Sequence, residues 1–394
     1  MSSPPRLAPW RGKATATAEL VAVREGYDDK YVGPRPRSFC RIWIAGVRRS
    51  PAVSGADWKS GPDRIVKMPG SVMSVFSEAD EFQAALRADG VLNLLVTGHG
   101  QFRARLTRVT LDHIHLSAGD EYLARIAFIA MPADTLFVSL PADDQPGLIW
   151  NGMEMRAGEM LTLGSGHQIH SRTDGLCHWG AIRIPAEELS QYARALSGGS
   201  FGLPPVARWR PQRAALRQLR HLHQAAVRTA KAQSGVLADK EAVHGLEQQI
   251  IHALVEALSP GPVDEETETA CRHRHILARF EVLLEAHPLA STTEIGAALG
   301  VSDRMLRECC RKSLGMGPSR YRRLRRMQLV YYTLRHEDPA VASVSAVARR
   351  YGFLNLGRFA TSYRALYGEL PSATLRRHHR IAELTLGRPR VKVS

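Results

Sequence analysis

Cysteine is scarce in this chain and arranged for nothing covalent. Five residues (Cys40, Cys177, Cys271, Cys309 and Cys310) are spread over 394 positions, odd in number and without a Cys-x-x-Cys pair. That argues against a disulfide framework and a thiolate zinc cluster, and it suits a reducing compartment. The adjacent Cys309 and Cys310 are expected to be small buried thiols of a helix rather than a redox switch. Also missing are an apolar run near the roughly eighteen residues of a membrane span and the apolar core of a secretion signal. A cytoplasmic protein without membrane contact is therefore expected. What the last third lacks is acid. From Cys271 onward there are 23 Lys+Arg against 9 Asp+Glu, whereas the residues before it are nearly neutral, at 30 against 29, within a net charge of +15. A neutral body joined to a cationic module points to a polyanionic partner, with a merely solvated basic face as the alternative.

The length exceeds what one hydrophobic core usually serves, so several folded units are expected. Residues 1–65, rich in Pro, Gly, Ser and scattered Arg, read as a loosely ordered extension with one strand-like run at Cys40–Ile44. From Val72 to about Pro185 the pattern becomes short period-two runs: Phe102–Thr107, Leu136–Leu140, Leu148–Trp150, Met160–Leu163 and Trp179–Ile184. A short helix with an acidic first turn precedes them at Ser77–Leu86. The fold class is thus α+β and multidomain, with a β-barrel or sandwich at 66–200. Helical spacing then takes over at 206–258, through Leu216, Leu219 and Leu222 and through Val243, Leu246, Ile250, Leu254 and Leu258. This apolar stripe either dimerises or packs on its own β domain. Residues 259–271, with Pro260, Pro262 and an acidic run, read as an exposed linker. An all-α domain at 272–380 and a basic tail at 381–394 complete the chain.

Within the all-α domain, Ser291 or Thr292 can cap a helix carrying Ile295 and Leu299 inward. Gly300 permits the turn, and Ser302 caps a second helix carrying Leu306 and Cys310. The same logic recurs about fifty residues later: Val344, Val347 and Ala348 on a short helix, Gly352–Phe353 at the turn, and Phe359 and Tyr363 on the next helix, closed by Gly368 and Pro371. One helix-turn-helix pattern occurs by chance in many helical proteins; a pair at this spacing does not. Between them Pro318 opens a long helix in which Tyr321, Leu324, Met327 and Tyr331 point inward. Arg320, Arg322, Arg323, Arg325 and Arg326 are available to phosphates.

These residues resemble the AraC/XylS family of regulators. Gly300, Ser302, Leu306, Gly315, Pro318, Tyr321 and Arg326 carry the likeness in the first unit and linker helix. Val347–Ala348, Gly352–Phe353, Phe359, Tyr363, Gly368 and Pro371 carry it in the second. The run Phe353–Tyr363 is also similar to the ethanolamine-operon regulator branch. Gly296 and Cys310 stand where the family usually has alanine and phenylalanine, which predicts a less tightly packed first unit. The resemblance implies a transcription factor that presses two recognition helices into adjacent major grooves of double-stranded DNA and works with RNA polymerase, without catalysis or cofactor. Carried over, Arg304, Arg307, Glu308 and Arg311 of the first unit and Leu356, Gly357, Arg358, Thr361 and Arg364 of the second face DNA, and Ser302, Arg320, Arg322 and Arg326 meet phosphates. For each arginine, base contact competes with a phosphate contact or a solvated charge. Arg304 and Arg307 suit guanine and Glu308 suits cytosine, so the first unit is expected to discriminate bases and the second to grip backbone.

By the same resemblance the β domain is a cupin-like sensor for a small-molecule effector, and a homodimer is possible. Trp150, His170 and Trp179 are the candidate lining of the effector pocket, although aromatic strand residues are more often plain core. His167, His170 and His178 invite a metal reading, but their spacing is loose and no His-x-His pair with a following Glu is present. No metal site is assigned. Two other readings stay open: a cupin-type metal enzyme with a basic nucleic-acid-binding appendage, and a general RNA or nucleoid binder.

Overall fold

A computed structural model describes residues 66–68, 70–132, 134–141, 148–197, 203–232 and 235–377. The expected N-terminal extension with its strand at Cys40–Ile44, and the basic tail, lie outside the described residues. The β region consists of β1 (Val66–Met68), β2 (Ser71–Phe76), β3 (Val91–Val96), β4 (Ala104–Thr110), β5 (His115–Glu121), β6 (Arg125–Ala130) and β7 (Thr135–Pro141). It continues with β8 (Ile149–Trp150), β9 (Met153–Glu154), β10 (Met160–Leu163), β11 (Gln168–Thr173), β12 (Cys177–Pro185), β13 (Val206–Trp209) and β14 (Pro262–Glu265). The helices are α1 (Ala79–Leu86), α2 (Ala186–Ser197), α3 (Arg213–Lys231), α4 (Lys240–Leu258), α5 (Glu268–Ala286), α6 (Thr292–Leu299), α7 (Asp303–Leu314), α8 (Pro318–His336), α9 (Val344–Arg350) and α10 (Leu356–Tyr367). Residues 371–377 are also helical.

Two antiparallel sheets face each other. One has the order β1-β2-β4-β5-β12-β7-β10-β13-β14 and the other β3-β6-β11-β8-β9. Alternation along each strand sends one set of side chains between the sheets and the other set outward. In β12, Cys177 and Ala181 join the inner core with Leu106, Phe137, Leu161 and Ile169. Ile182 and Ile184 lie on the opposite face with Val109, Leu116, Val138 and Trp209. That outer face is covered by Leu216, Leu219 and Leu222 of α3 and by Ile250, Leu254 and Leu258 of α4. Of the two readings left open for the apolar stripe, the structure shows packing on the chain's own sheet.

The expected linker behaves differently from its composition. Pro262–Glu265 forms β14 and pairs with β13, where Asp264 bonds Arg208, itself 3.3 Å from Glu159. Within the acidic run Asp264 finds its counter-ion on the neighbouring strand, while Val263, Asp264 and Glu265 remain exposed. Just beyond it, Glu266 and Arg274 form a buried bidentate pair at 2.8–3.0 Å that fixes the start of α5.

The C-terminal helices enclose two cores. Phe280, Leu284, Ile295, Leu299, Leu306, Cys310 and Tyr321 make the first. Met327, Tyr331, Val347, Phe353, Phe359 and Tyr363 make the second. Helix α8 serves both, and Leu324 packs against each. Leu95 and Ile126, on the outer face of the five-stranded sheet, belong to the first helical core. The layers therefore run from α3 and α4 through two sheets to the helical domain without a break.

Candidate nucleic-acid interface

The first unit is built from caps. Ser291 accepts from the Glu294 backbone N–H at 3.2 Å while the Glu294 carboxylate accepts from the Ser291 backbone N–H at 2.7 Å. This reciprocal box fixes the start of α6. Gly300 ends α6 in the left-handed region at φ 68°, and Ser302 accepts from the Met305 N–H at 3.2 Å to start α7. With Leu306, Cys309 and Cys310 facing inward, periodicity turns Arg304, Arg307, Glu308 and Arg311 outward. All four are exposed, and their side chains make no hydrogen bond or ion pair with the described residues. Burial pushes the Cys309 thiol up to about 11 and the Cys310 thiol higher still, so both pack as neutral small groups. Gly296 is buried, and a Cβ there would meet Val301 O at 3.3 Å. Between α7 and the start of α8 lies a hollow of about 250 Å³ lined by Thr292, Arg307, Arg311, Gly317, Pro318 and Ser319, with Asp303 and Leu306. The Arg307 and Arg311 guanidinium groups line it together with the Asp303 carboxylate.

The second unit repeats the plan. Ser343 caps α9 on the Ala346 N–H at 3.2 Å, Gly352 turns at φ 78°, and Asn355 caps α10 on the Arg358 N–H at 3.0 Å. Gly357, Arg358, Thr361 and Arg364 are exposed, with the Thr361 hydroxyl donating back to Gly357 O at 3.1 Å. Leu356 is the exception among the expected contact residues. It is partly buried and packs against the second core. Its predecessor Leu354, absent from the sequence reading, is 83% exposed.

The linker helix differs from expectation at three arginines, Arg322, Arg325 and Arg326. Arg320 is exposed as expected. Arg322 instead donates to Ala290 O, immediately before the first unit's cap. Arg326 lies over the Phe353 ring at 5.3 Å and donates to Tyr351 O at 3.5 Å, bracing the second unit's turn. Burial lowers the pKa of both, and each remains an internal strut. Arg325 is also turned inward, toward Asn93 and Glu281. Arg323, exposed, donates to Ser362 Oγ at 2.8 Å.

The candidate pocket residues divide, with Trp150 and Trp179 at the inner core and His170 on the opposite side of its sheet. Trp150 lies between the sheets, 5.8 Å from the Phe137 ring, and its indole N–H has no acceptor among the described residues. Trp179 packs against the same inner core and donates to Glu121 Oε1 at 2.5 Å. There Glu121 and Arg125 form a buried bidentate pair completed by Ser171. His170 points the other way, toward the helical domain. It stacks on Phe128 at 4.8 Å, and its Nε2 stands 3.0 Å from Glu281 Oε1. The three histidines of the metal reading also separate: His167 Nδ1 faces Ser165 O at 2.8 Å and His178 Nδ1 faces Asp120 at 2.8 Å. A different trio does converge. The ligand atoms of His113, Glu188 and Glu247 lie within 4.8 Å of one another. Glu247 Oε2, however, already accepts from the His113 and Ile114 backbone N–H groups, at 2.8 and 3.2 Å. That arrangement ties the β4–β5 turn to α4.

Sequence reasoning missed the contact between the β domain and the helical domain. Glu281 is buried, bonded by His170 and the Tyr321 hydroxyl and flanked by Arg325 at 3.6 Å. Burial alone would raise its carboxyl pKa, but the hydrogen bond from His170, the charge of Arg325 and the Tyr321 hydroxyl together hold it below the usual range. Its signal was a lone carboxylate on the apolar stripe of Leu277 and Leu284. Farther along α8, Gln328 donates to Leu94 O at 2.7 Å, Tyr331 bonds Glu78, and Arg335 bonds Asp80 and Glu81. Helices α7 and α10 also touch the β domain at their C-terminal ends. A Cβ on Gly152, at φ 82°, would stand 2.5 Å from Lys312 O of α7. His99 Nδ1 lies 2.9 Å from Ala365 O of α10.

Residues 295–377 match the helix-turn-helix domain family. Over 95 residues the chain is 40% identical to the "Probable thc operon regulatory protein" of Rhodococcus erythropolis, covering 24% of this chain and 29% of that protein. Over 76 residues it is 42% identical to the "XylDLEGF operon transcriptional activator" of Pseudomonas putida, covering 19% and 24%. It thus spans 24–29% of the length of these curated relatives. A solved structure of the AraC-like transcriptional activator CuxR matches at 20% identity over 65% of this chain and 92% of that one, with a TM-score of 0.36. Among the described residues no helix is long and apolar enough to cross a membrane.

Proposed function

We propose that this chain, whose residues 295–377 match the helix-turn-helix domain family and resemble operon regulators over that stretch, is a sequence-specific regulator of transcription of the AraC/XylS type. Helices α7 and α10 each enter a major groove of duplex DNA. The observation that carries this reading is the pair of side-chain-capped helices whose outward faces hold Arg304, Arg307, Glu308 and Arg311, and Gly357, Arg358, Thr361 and Arg364, all exposed. An exposed, unpaired guanidinium one or two turns into such a helix suits bidentate bonding to guanine. Arg320 and the hollow beside Arg311 hold phosphates, and the protein acts in the cytoplasm with RNA polymerase as its partner.

The β domain is the sensor, and a small-molecule effector alters how it holds α8. Support comes from the unbroken contact between the five-stranded sheet and that helix, and from the unpartnered Trp150 indole N–H between the sheets. A metal-dependent enzyme is disfavoured because His167, His170 and His178 each engage a different group.

Footprinting of the full chain on DNA upstream of its own and adjacent genes tests the proposal. Two protected stretches about one helical turn apart are expected. Binding that coats every fragment equally would support the nucleoid-binder reading instead.

A further inference from the structure

The residue before a helix cap usually packs against the fourth residue of the helix and so fixes the entry of the chain. Before α10 that position is Leu354, with Asn355 as the cap and Phe359 as the natural partner. The contact is not made. Phe359 is 2% exposed, and its neighbour there is the ring of Phe353, 5.1 Å away, one residue earlier than the usual partner. Leu354 is left 83% exposed at the leading end of the recognition helix. Beyond it, Gly357 has only Asn355 Oδ1 near the space a Cβ would fill, at 3.7 Å. The helix therefore leads with an apolar side chain, followed one turn later by bare backbone that allows close approach.

In a helix-turn-helix unit the N-terminal turn of the second helix lies nearest the base edges. The one apolar group a major groove offers there is the 5-methyl of thymine. We propose that Leu354 reads a thymine methyl in the half-site of the second unit, in place of the more inward Leu356. This gives α10 a base preference of its own. The proposal rests on the DNA-binding reading above.

Uracil pairs as thymine does but lacks the methyl. The footprinted site is resynthesised with each thymine of the second half-site singly replaced by uracil, and the full chain and Leu354→Ala are titrated against the set. Burial of one methyl corresponds to about a threefold to fivefold change in affinity. The wild type should lose that factor at one position. Leu354→Ala, whose melting temperature should match the wild type because the side chain is exposed, should lose the same factor on thymine DNA and nothing further on that uracil. A uracil effect that persists in Leu354→Ala, or none at any position, overturns the assignment while leaving the footprint intact. Full DNA affinity in Leu354→Ala with loss of transcriptional activation would also overturn it, in favour of a protein contact. If no protected site exists, the DNA-binding reading itself fails.

Discussion

Arg307 is exposed, unpaired and one turn inside the Ser302 cap, close to Arg311 around the hollow at the start of α8. Its guanidinium can either span two acceptors of a guanine or settle on a phosphate, and the two outcomes are separable. Arg307→Ala is expected to cost about 1–3 kcal/mol of binding at one base pair and to relax preference there. Competition binding against single-base variants of the site measures this, and an equal loss on all sequences would make Arg307 a phosphate residue. At this scale the outward faces of α7 and α10 were legible because their inward residues repeat at helical spacing, which leaves the remaining positions no other place. Arg322, Arg326 and Leu356 were not legible. A guanidinium or leucine on a helix flank is equally compatible with solvent, DNA or a neighbouring loop. Only the positions of Ala290, Phe353 and the second core decide among them.

At the scale of elements, α8 is less a phosphate rail than a spacer with a strut to each unit. Arg322 reaches the loop before α6, and Arg326, one turn later, holds the turn before α10. Removing the Arg326 strut should loosen the second unit without removing an ion pair to DNA. Arg326→Ala should therefore lower the melting temperature and the affinity while the slope of log K against log salt stays unchanged. Arg320→Ala should leave stability alone and reduce that slope by about one contact, near 0.9 for duplex DNA. Identical slopes in both variants would refute the division of roles. The same scale explains which strands sequence periodicity reveals. Met160–Leu163 and much of β12 were found, but β3 (Val-Leu-Asn-Leu-Leu-Val) and β6 (Arg-Ile-Ala-Phe-Ile-Ala) were not. Both belong to the sheet covered on one face by the inner core and on the other by the helical domain, so apolar residues fill both faces and the alternation disappears. The linker misread at 259–271 has a related cause, since the strand partner of Pro262–Glu265 and the arginine that pairs with Asp264 lie more than fifty residues earlier in the sequence.

For the whole molecule, the β domain touches α7, α8 and α10 and so holds the two helix-turn-helix units in one relation. The most deeply buried polar link in that contact is Glu281, shared by His170 of β11 and by Tyr321 and Arg325 of α8. Its carboxyl pKa is lower in the folded protein than the usual 4.5. The folded state therefore releases this proton more readily than the unfolded state, and stability rises with pH across the interval between the two values. The stabilisation is complete above the ordinary carboxylate range and is lost as pH falls through the lowered folded value. Glu281→Gln keeps the shape but removes both the charge and the titration, leaving Arg325 without its buried counter-ion. Breaking one side of a buried pair typically costs about 3–5 kcal/mol. Thermal unfolding of wild type and Glu281→Gln across the acid range should show a large gap at neutral pH that narrows as pH drops below about 4.5. A gap that is constant with pH would mean that the carboxylate contributes shape alone. Under the proposal that the β domain senses a small-molecule effector, Glu281→Gln should also weaken the effector's influence on DNA affinity, measured as the ratio of binding constants with and without effector, because the same group joins that domain to the spacer helix. A ratio equal to that of the wild type would place the coupling elsewhere, at the Arg335 contact with α1 or at the C-terminal ends of the recognition helices.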